Sequence, residues 1–542
     1  MRLTPEILLL IVLSGCPKAV PESLPAPAPV ATQEQLLAKE VAALEAEALA
    51  LVKEQDELLW EHWTQGTPLD LEKPALSHAV LFEDATLLKV RRARNTRLEA
   101  WLVGERLARA TAEANATLTG IEAIATFTLD EKATPLSWRD LNRLLAHEKS
   151  AVKRKALWAA SREAIPKIAE GYQKRDEAVE SALRKMGTTG AGYAGVTSEE
   201  SAVLAQRFLD DTQGEWKALL EQLAKSELGL PVDKLTRADL PRLLRPTSPA
   251  DGNFLKAEQA AKATAVLAAL GFYGLPGLTL DLAESATKNP LPLTLAPGGA
   301  ADVRVSFRPA GGARDLSVLL GELGRALALH KTDEPRLAPP LLSDASYRLF
   351  AELGSTAGWL KAQGVSDAAA ASTIASARAL RLYACRRAAG NLIAQHNAQG
   401  ATDAFSAEAW KDSSTHALAI PAAAEDAARW RLERDPLYKG VDLLRALQLA
   451  EQLRKKLGAE WWSAPGSGAI LRAAWSGSDA GANAVGIDGG RVAGAVASVV
   501  KEASRDAGLT PVIDPTDSGF VGAVKAASSQ APGDGGAAAN VQ

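Results

Sequence analysis

Residues 316–329 read LSVLLGELGRALAL and lie just beyond the middle of a chain of 542 residues. Leucines at positions 316, 319, 320, 323 and 327 recur at three- and four-residue spacings, which predicts an apolar stripe along one face of an α-helix. Val318 and Leu329 fall on the other side of this helix, beside Gly321, Glu322 and Arg325. We therefore expect this helix to be covered on both faces.

Glu322 stands in the frame of an H-E-x-x-H motif in which Gly321 and Arg325 occupy the two histidine positions. In that motif the imidazoles lie one turn apart and hold Zn²⁺, while the Glu activates the metal-bound water. Glycine has no ligand atom, and arginine carries a permanent positive charge that repels a cation. Taken alone, the pentapeptide favours an ordinary leucine-rich helix, so a zinc-protease scaffold without zinc chemistry needs support from the rest of the chain.

The composition favours helix and gives no reason to expect nucleic acid as a partner. The chain is 47% hydrophobic and 23% charged, with long stretches of Ala, Leu, Glu, Lys and Arg. Its formal net charge is −4, and it has no basic stripe or basic tail. Only two cysteines occur, and Cys385 lies in a helical pattern, so we expect it to be a small buried residue.

The first residues predict export and a lipid anchor. An apolar run from Ile7 to Leu13 follows Arg2 and is too short to span a bilayer. The small residues that come next resemble a bacterial lipoprotein cleavage site, in which Cys16 is lipidated; an ordinary signal peptide or an uncleaved anchor is the alternative. The predicted segments are the signal peptide (1–15), a proline-rich tether (16–32), a helical domain (33–470) and a Gly/Ala-rich, partly disordered C-terminal region (471–542).

Long helices are predicted around the central one, with little β-structure. Residues 33–63 show one apolar face, and residues 151–186 are expected to form a helix kinked at Pro166. Two strands, residues 291–295 and 303–308, precede the central helix.

A second helix is predicted from about Ser343 onward, and it carries Glu352 between apolar neighbours. The order of the two strands, the helix with Glu322 and the helix with Glu352 resembles the oligoendopeptidase F and thimet oligopeptidase family, which are gluzincin-type zinc peptidases. The resemblance covers roughly residues 33–457. It implies a mainly α, two-lobed helical zincin-like metallopeptidase fold with a small β-sheet lining a deep cleft. Family members cleave short peptides with zinc held by two His and one Glu.

The resemblance also assigns roles to single residues. Glu322 takes the place of the general base and Glu352 that of the glutamate ligand, while Tyr438 is a weak candidate for the group that stabilises the oxyanion. One remaining ligand cannot hold zinc in a catalytic site that needs three. We therefore expect no cofactor, and an ion-pair cluster in which Arg325 binds both Glu322 and Glu352 at the old metal position.

The sequence thus predicts an exported, lipid-anchored pseudo-metallopeptidase that keeps a cleft for a peptide or protein ligand. The anchor is expected in the outer membrane, facing the periplasm or the cell surface, because Pro17 after Cys16 lacks the acidic signal for inner-membrane retention. Backbone pairing to the strand from Val303 to Phe307 is the expected way of holding an extended peptide. An active metallopeptidase with altered zinc ligands and a structural envelope lipoprotein are the alternatives.

Overall fold

The computed structural model describes residues 32–130, 134–245, 247–332, 337, 341–464 and 466–476. The predicted signal peptide, the lipidation site at Cys16, nearly all of the tether and residues 477–542 lie outside these ranges. The described chain is mainly α-helical, as the sequence predicts. Its helices are α1 (Gln33–Gln65), α2 (Glu72–Ser77), α3 (Asp84–Arg92), α4 (Thr96–Ile124), α5 (Leu141–His147), α6 (Ala151–Ala160), α7 (Ile165–Lys185), α8 (Gly190–Tyr193), α9 (Ser198–Leu223), α10 (Leu240–Leu243), α11 (Gln259–Ala269), α12 (Ala313–Lys331), α13 (Leu341–Ala351), α14 (Ala357–Ala362), α15 (Asp367–Asn397), α16 (Asp403–Leu418), α17 (Trp430–Glu433), α18 (Lys439–Leu457) and α19 (Ser467–Ser476). The strands are β1 (Thr126–Phe127), β2 (Leu136–Ser137), β3 (Leu278–Asp281), β4 (Leu293–Leu295) and β5 (Val303–Ser306).

Helix α1 shows how local chemistry sets the ends of these helices. A capping box opens it, since the Thr32 side chain accepts from the backbone of Gln35 and the Gln35 side chain accepts from Thr32. Gly66 closes it in the left-handed conformation, with φ of 75°, which a glycine adopts without steric cost. The helix is two residues longer than the apolar pattern predicts.

Residues 151–186 form two helices, so the prediction of one kinked helix is wrong. Helix α6 ends at Ala160, a 3-10 turn covers Ser161–Ala164, and α7 begins at Ile165. Pro166 lies in the first turn of α7, where a backbone N–H has no partner within the helix anyway. The proline therefore starts a helix here instead of bending one.

A three-stranded sheet precedes α12 in the chain, with the strand order β3-β5-β4. Strand β5 pairs in parallel with β3, a strand that the sequence pattern does not predict, and antiparallel with β4. Because β5 is bonded on both sides, the predicted pairing of a peptide to the strand from Val303 to Phe307 is wrong. The edge strands of this sheet, among the described residues, are β3 and β4.

The sheet lies between two helices. Val303 and Val305 of β5 pack with Ala326 of α12 on one face. On the other face, Arg304 donates to Glu57 of α1 at 2.7 and 3.0 Å. This arrangement places β4 beside the middle of α12, where the degenerate motif lies.

Helices α12 and α13 form a closely packed antiparallel pair. A Cβ atom built at Gly321 would lie 2.6 Å from the Tyr347 ring, and one built at Gly324 would lie 2.6 Å from the Ser346 carbonyl oxygen. Leu316, Leu319, Leu320, Leu323 and Leu327 are all fully buried, as are Ala326 and Ala328 on other sides of the helix. The prediction that α12 is covered on both faces is therefore confirmed.

Other residues singled out in the sequence fall in the apolar core. Cys385 is buried, and this burial raises the pKa of its thiol to about 11, which makes it a poor nucleophile. Trp461 and Trp462 are buried against the cluster around α12 and α13. No helix in the described ranges is both long and apolar enough to cross a membrane.

Candidate functional site

Glu322 is the buried carboxylate at the centre of the candidate site. Its side chain lies on α12 with 4% of the residue exposed. Thr294 of β4 donates its hydroxyl to one carboxylate oxygen at 2.7 Å, and Arg325 donates to both oxygens at 3.0 and 3.1 Å. A buried carboxylate is stable only when such donors replace water, so these two residues account for the position of Glu322.

Arg325 connects three side chains from two helices. Besides Glu322, its guanidinium donates to Asp344 in the first turn of α13 at 3.0 Å. Its guanidinium carbon also lies 4.8 Å from the ring centre of Tyr347, in a cation–π contact. Burial and the charge of Glu322 raise the pKa of Tyr347, which keeps its phenol neutral. One cation thus holds two carboxylates together.

Glu352 is not part of this cluster, so the predicted Glu322, Arg325 and Glu352 group is wrong in its third member. Glu352 is ion-paired with Arg381 of α15. In the antiparallel helix pair, Arg325 lies level with Asp344, whereas the turn that contains Glu352 and Gly354 lies level with Ser317, two turns away. Helix α13 also ends at Ala351, and Glu352 begins a 3-10 turn.

The surroundings of Glu352 differ from those of Glu322. Burial raises the pKa of the Glu352 carboxyl, while the Arg381 charge opposes that rise. Arg381 also donates to Ser355 at 3.2 Å, which ties α15 to the turn after α13. Glu352 therefore serves a helix-to-helix contact in this structure.

The side chains present do not fit a zinc site of the kind implied by the family resemblance. At the first histidine position, the Tyr347 ring fills the space that a side chain on Gly321 would need. At the second, the guanidinium of Arg325 already binds Glu322 and Asp344. Within the described ranges, no group of three or more His, Cys, Asp or Glu side chains converges on a point that a metal ion could occupy.

The hydroxyl of Tyr438 contacts helix α9. Tyr438 precedes α18 in the left-handed conformation, with φ of 56°, and its hydroxyl is 3.0 Å from that of Ser198 on α9. Both residues line a cavity of about 1120 Å³, together with His396, and this lining contains none of Glu322, Arg325 and Glu352. The role of Tyr438 in stabilising an oxyanion stays a prediction.

Four residues of the site and its surroundings were missed in the sequence: Thr294, Asp344, Tyr347 and Arg381. Thr294 stands between two leucines, and this alternation indicates a side chain that points to the opposite face of the strand. Asp344 and Tyr347 are three residues apart, which places them on one face of a helix. Neither pattern predicts which face of α12 these side chains contact. For Arg381, no local sequence pattern predicts a contact with Glu352.

The edge of β4 offers two unpaired backbone groups, the N–H and the C=O of Thr294. The amides of Val303 and Phe307 donate toward β3, so the alternate residues Arg304 and Ser306 are the ones bonded to β4. Thr294, opposite Val305, consequently directs its own N–H and C=O away from the sheet. Neither group has a hydrogen-bond partner among the described residues.

Comparison with solved structures relates this fold to peptidases. The protein is similar to a candidate peptidase from Chlamydophila abortus, with a TM-score of 0.59 and 13% identity over 88% of this chain and 91% of that one. It is also similar to a candidate oligoendopeptidase F, with a TM-score of 0.51 and 16% identity over 80% and 82% of the two chains. No protein-family model and no curated protein matches it. The resemblance seen in the sequence is therefore confirmed for the fold.

Proposed function

We propose that this protein is an exported, lipid-anchored pseudo-metallopeptidase that binds an extended peptide and does not hydrolyse it through zinc. The observation that carries the proposal is the double ion pair of Arg325 with Glu322 and Asp344, at 3.0 Å each. A fixed guanidinium at the second histidine position supplies positive charge to two carboxylates that would otherwise repel each other. The position of a catalytic cation is thereby taken by a side chain that activates no water.

The proposed peptide site is the edge of β4, not the strand first expected. A peptide laid antiparallel or parallel to β4 can exchange hydrogen bonds with the N–H and C=O of Thr294, which are the outward groups of this short edge strand. The Thr294 hydroxyl remains bonded to Glu322, so peptide binding at the edge needs no change in the ion-pair cluster. This geometry supports recognition through the backbone, with little selectivity for peptide sequence.

Metal analysis and a hydrolysis assay test the loss of catalysis. The purified full-length protein, incubated with zinc and then dialysed, is expected to retain far less than one zinc per chain. A quenched fluorescent peptide should be cleaved no faster by the wild type than by Glu322→Gln, because Glu322 is held by Arg325 and has no metal-bound water to activate. Stoichiometric zinc with turnover that Glu322→Gln abolishes would establish the active-enzyme alternative instead.

A proline at Thr294 tests the peptide site. Because the N–H of Thr294 points away from the sheet, Thr294→Pro removes the outward donor without breaking a bond to β5. Peptide affinity, measured by fluorescence anisotropy with a degenerate labelled peptide library, should fall by about tenfold or more. Thr294→Val is the matched control, since it also loses the hydroxyl but keeps the N–H. Equal affinity of the proline and valine variants would contradict binding at this edge, and absence of binding by the wild type would favour a purely structural envelope protein.

Export and anchoring rest on the segment around Cys16, which is outside the described residues. We propose attachment of a lipid at Cys16 and a location in the bacterial cell envelope, at the outer membrane. The Cys16→Ser variant should then lose incorporation of labelled fatty acid and leave the membrane fraction.

A further inference from the structure

A second cavity, of about 480 Å³, is lined by residues of α12, α13 and α15. Its lining includes Tyr347 but not Glu322, Arg325 or Asp344. Arginine side chains dominate the charge of its lining. They are Arg245, Arg314, Arg348 and Arg381. Glu352 is the one carboxylate among the described residues that line it. The cavity therefore presents an excess of positive charge to anything that enters it.

Two of these arginines already have acidic partners. Arg381 is ion-paired with Glu352, and Arg245 donates to Glu227 at 2.8 Å. Within each pair the positive and negative charges cancel, so Glu352 does not offset the charge of a further arginine. The net charge of the lining then comes from Arg314 and Arg348.

Arg314 and Arg348 form no hydrogen bond or ion pair with any described residue. The Nε–H of Arg348 is fully buried and has no acceptor among the residues that the structure describes. A buried charge-bearing donor without a partner is costly, and such groups in folded proteins normally meet an acceptor. Arg314 is an exposed residue in the same lining, where partial desolvation lowers the pKa of its guanidinium and the charge of Tyr347 opposes that change.

Neutral donors lie in the same lining. The hydroxyls of Tyr347 and Ser376 have no hydrogen-bond partner among the described residues. Guanidinium groups and hydroxyls together suit oxyanions, because they provide several donors and no competing negative charge. A volume of about 480 Å³ is within the range of small-molecule sites and exceeds the needs of a single inorganic ion.

We propose that this cavity is a binding site for a small organic dianion, either a phosphate monoester or a dicarboxylate, held by Arg348 and Arg314. Two unpaired guanidinium groups match two negative charges, and each can donate two bonds to one oxyanion group. The site does not depend on peptide binding at β4, because the two places share neither a backbone edge nor an ion pair.

Calorimetric titration and thermal unfolding of the full-length protein test this site with inorganic phosphate, succinate and uncharged succinamide at matched ionic strength. Phosphate or succinate should bind and raise the Tm of the wild type, and succinamide should do neither. Arg348→Met and Arg314→Met should each weaken binding by at least about tenfold. Arg308→Met, which removes an exposed arginine outside the cavity, should bind like the wild type.

The unliganded variants separate binding from structural support. Arg348 forms no hydrogen bond or ion pair with the residues that the structure describes, so Arg348→Met should leave the Tm of the free protein unchanged or raised while it removes the shift caused by the anion. A response to phosphate alone assigns the phosphate monoester, and a response to succinate alone assigns the dicarboxylate. If neither anion binds, or if both arginine variants bind as the wild type does, the proposal is wrong.

Discussion

Replacing Arg325 by methionine is expected to lower the free energy of unfolding by about 2–4 kcal/mol. This is somewhat less than the loss of about 3–5 kcal/mol for removing one partner of a fully buried ion pair, because the Arg325 side chain is 30% exposed. The loss arises because the carboxylate of Glu322, a residue that is 4% exposed, keeps only the Thr294 hydroxyl as a donor among the described residues. Asp344 also loses its partner on α12. Urea unfolding followed by circular dichroism measures the change.

Two controls test whether this loss of stability comes from the carboxylate of Glu322, which Arg325→Met leaves without a counter-charge. The double variant Glu322→Gln, Arg325→Met should recover part of the stability, because a neutral amide needs no counter-charge. Arg308→Met, at an exposed arginine, should change the unfolding free energy by less than about 0.5 kcal/mol. If Arg325→Met and Arg308→Met behave alike, the guanidinium has no role at this site.

The helix that carries the site could be predicted from the sequence because its signal is local. The leucines of α12 repeat at helical spacing, and the three-residue separation of Glu322 and Arg325 is enough to predict their contact. The register between α12 and α13 has no such signal. It depends on the side chains and carbonyls of α13 that approach Gly321 and Gly324. Asp344 was consequently missed and Glu352 placed in the wrong cluster.

The sheet was predicted incompletely for a related reason. Strands β3, β4 and β5 have only three or four residues each, so an alternating pattern has too few positions to stand out. The pairing of β5 with β3 joins residues about 25 positions apart, and no turn signal links them. The identity of the edge strand, and with it the proposed peptide site, therefore becomes visible only when all three strands are in place.

An alanine at Gly324 is expected to destabilise the protein by about 2 kcal/mol, although glycine to alanine within a helix normally stabilises. The new Cβ would lie 2.6 Å from the Ser346 carbonyl oxygen and 2.8 Å from the Cβ of Phe350, both on α13. Neither atom is the free end of a flexible side chain, so the two helices must move apart. Gly120→Ala, on the exposed side of α4 with no atom within 4 Å, is the matched control and should stabilise by about 0.5–1 kcal/mol.

The effects of Gly324→Ala and Arg325→Met should not add. A helix pair that moves apart carries Asp344 and Tyr347 away from the guanidinium, so the glycine variant already weakens the contacts that the arginine variant removes. The double variant is therefore expected to lose less stability than the sum of the two single losses, which chemical unfolding of all four proteins measures. Strict additivity of the two losses would mean that the α12–α13 contact and the ion-pair cluster are independent. The close approach of α13 to Gly324 would then not be needed to keep the cluster in place.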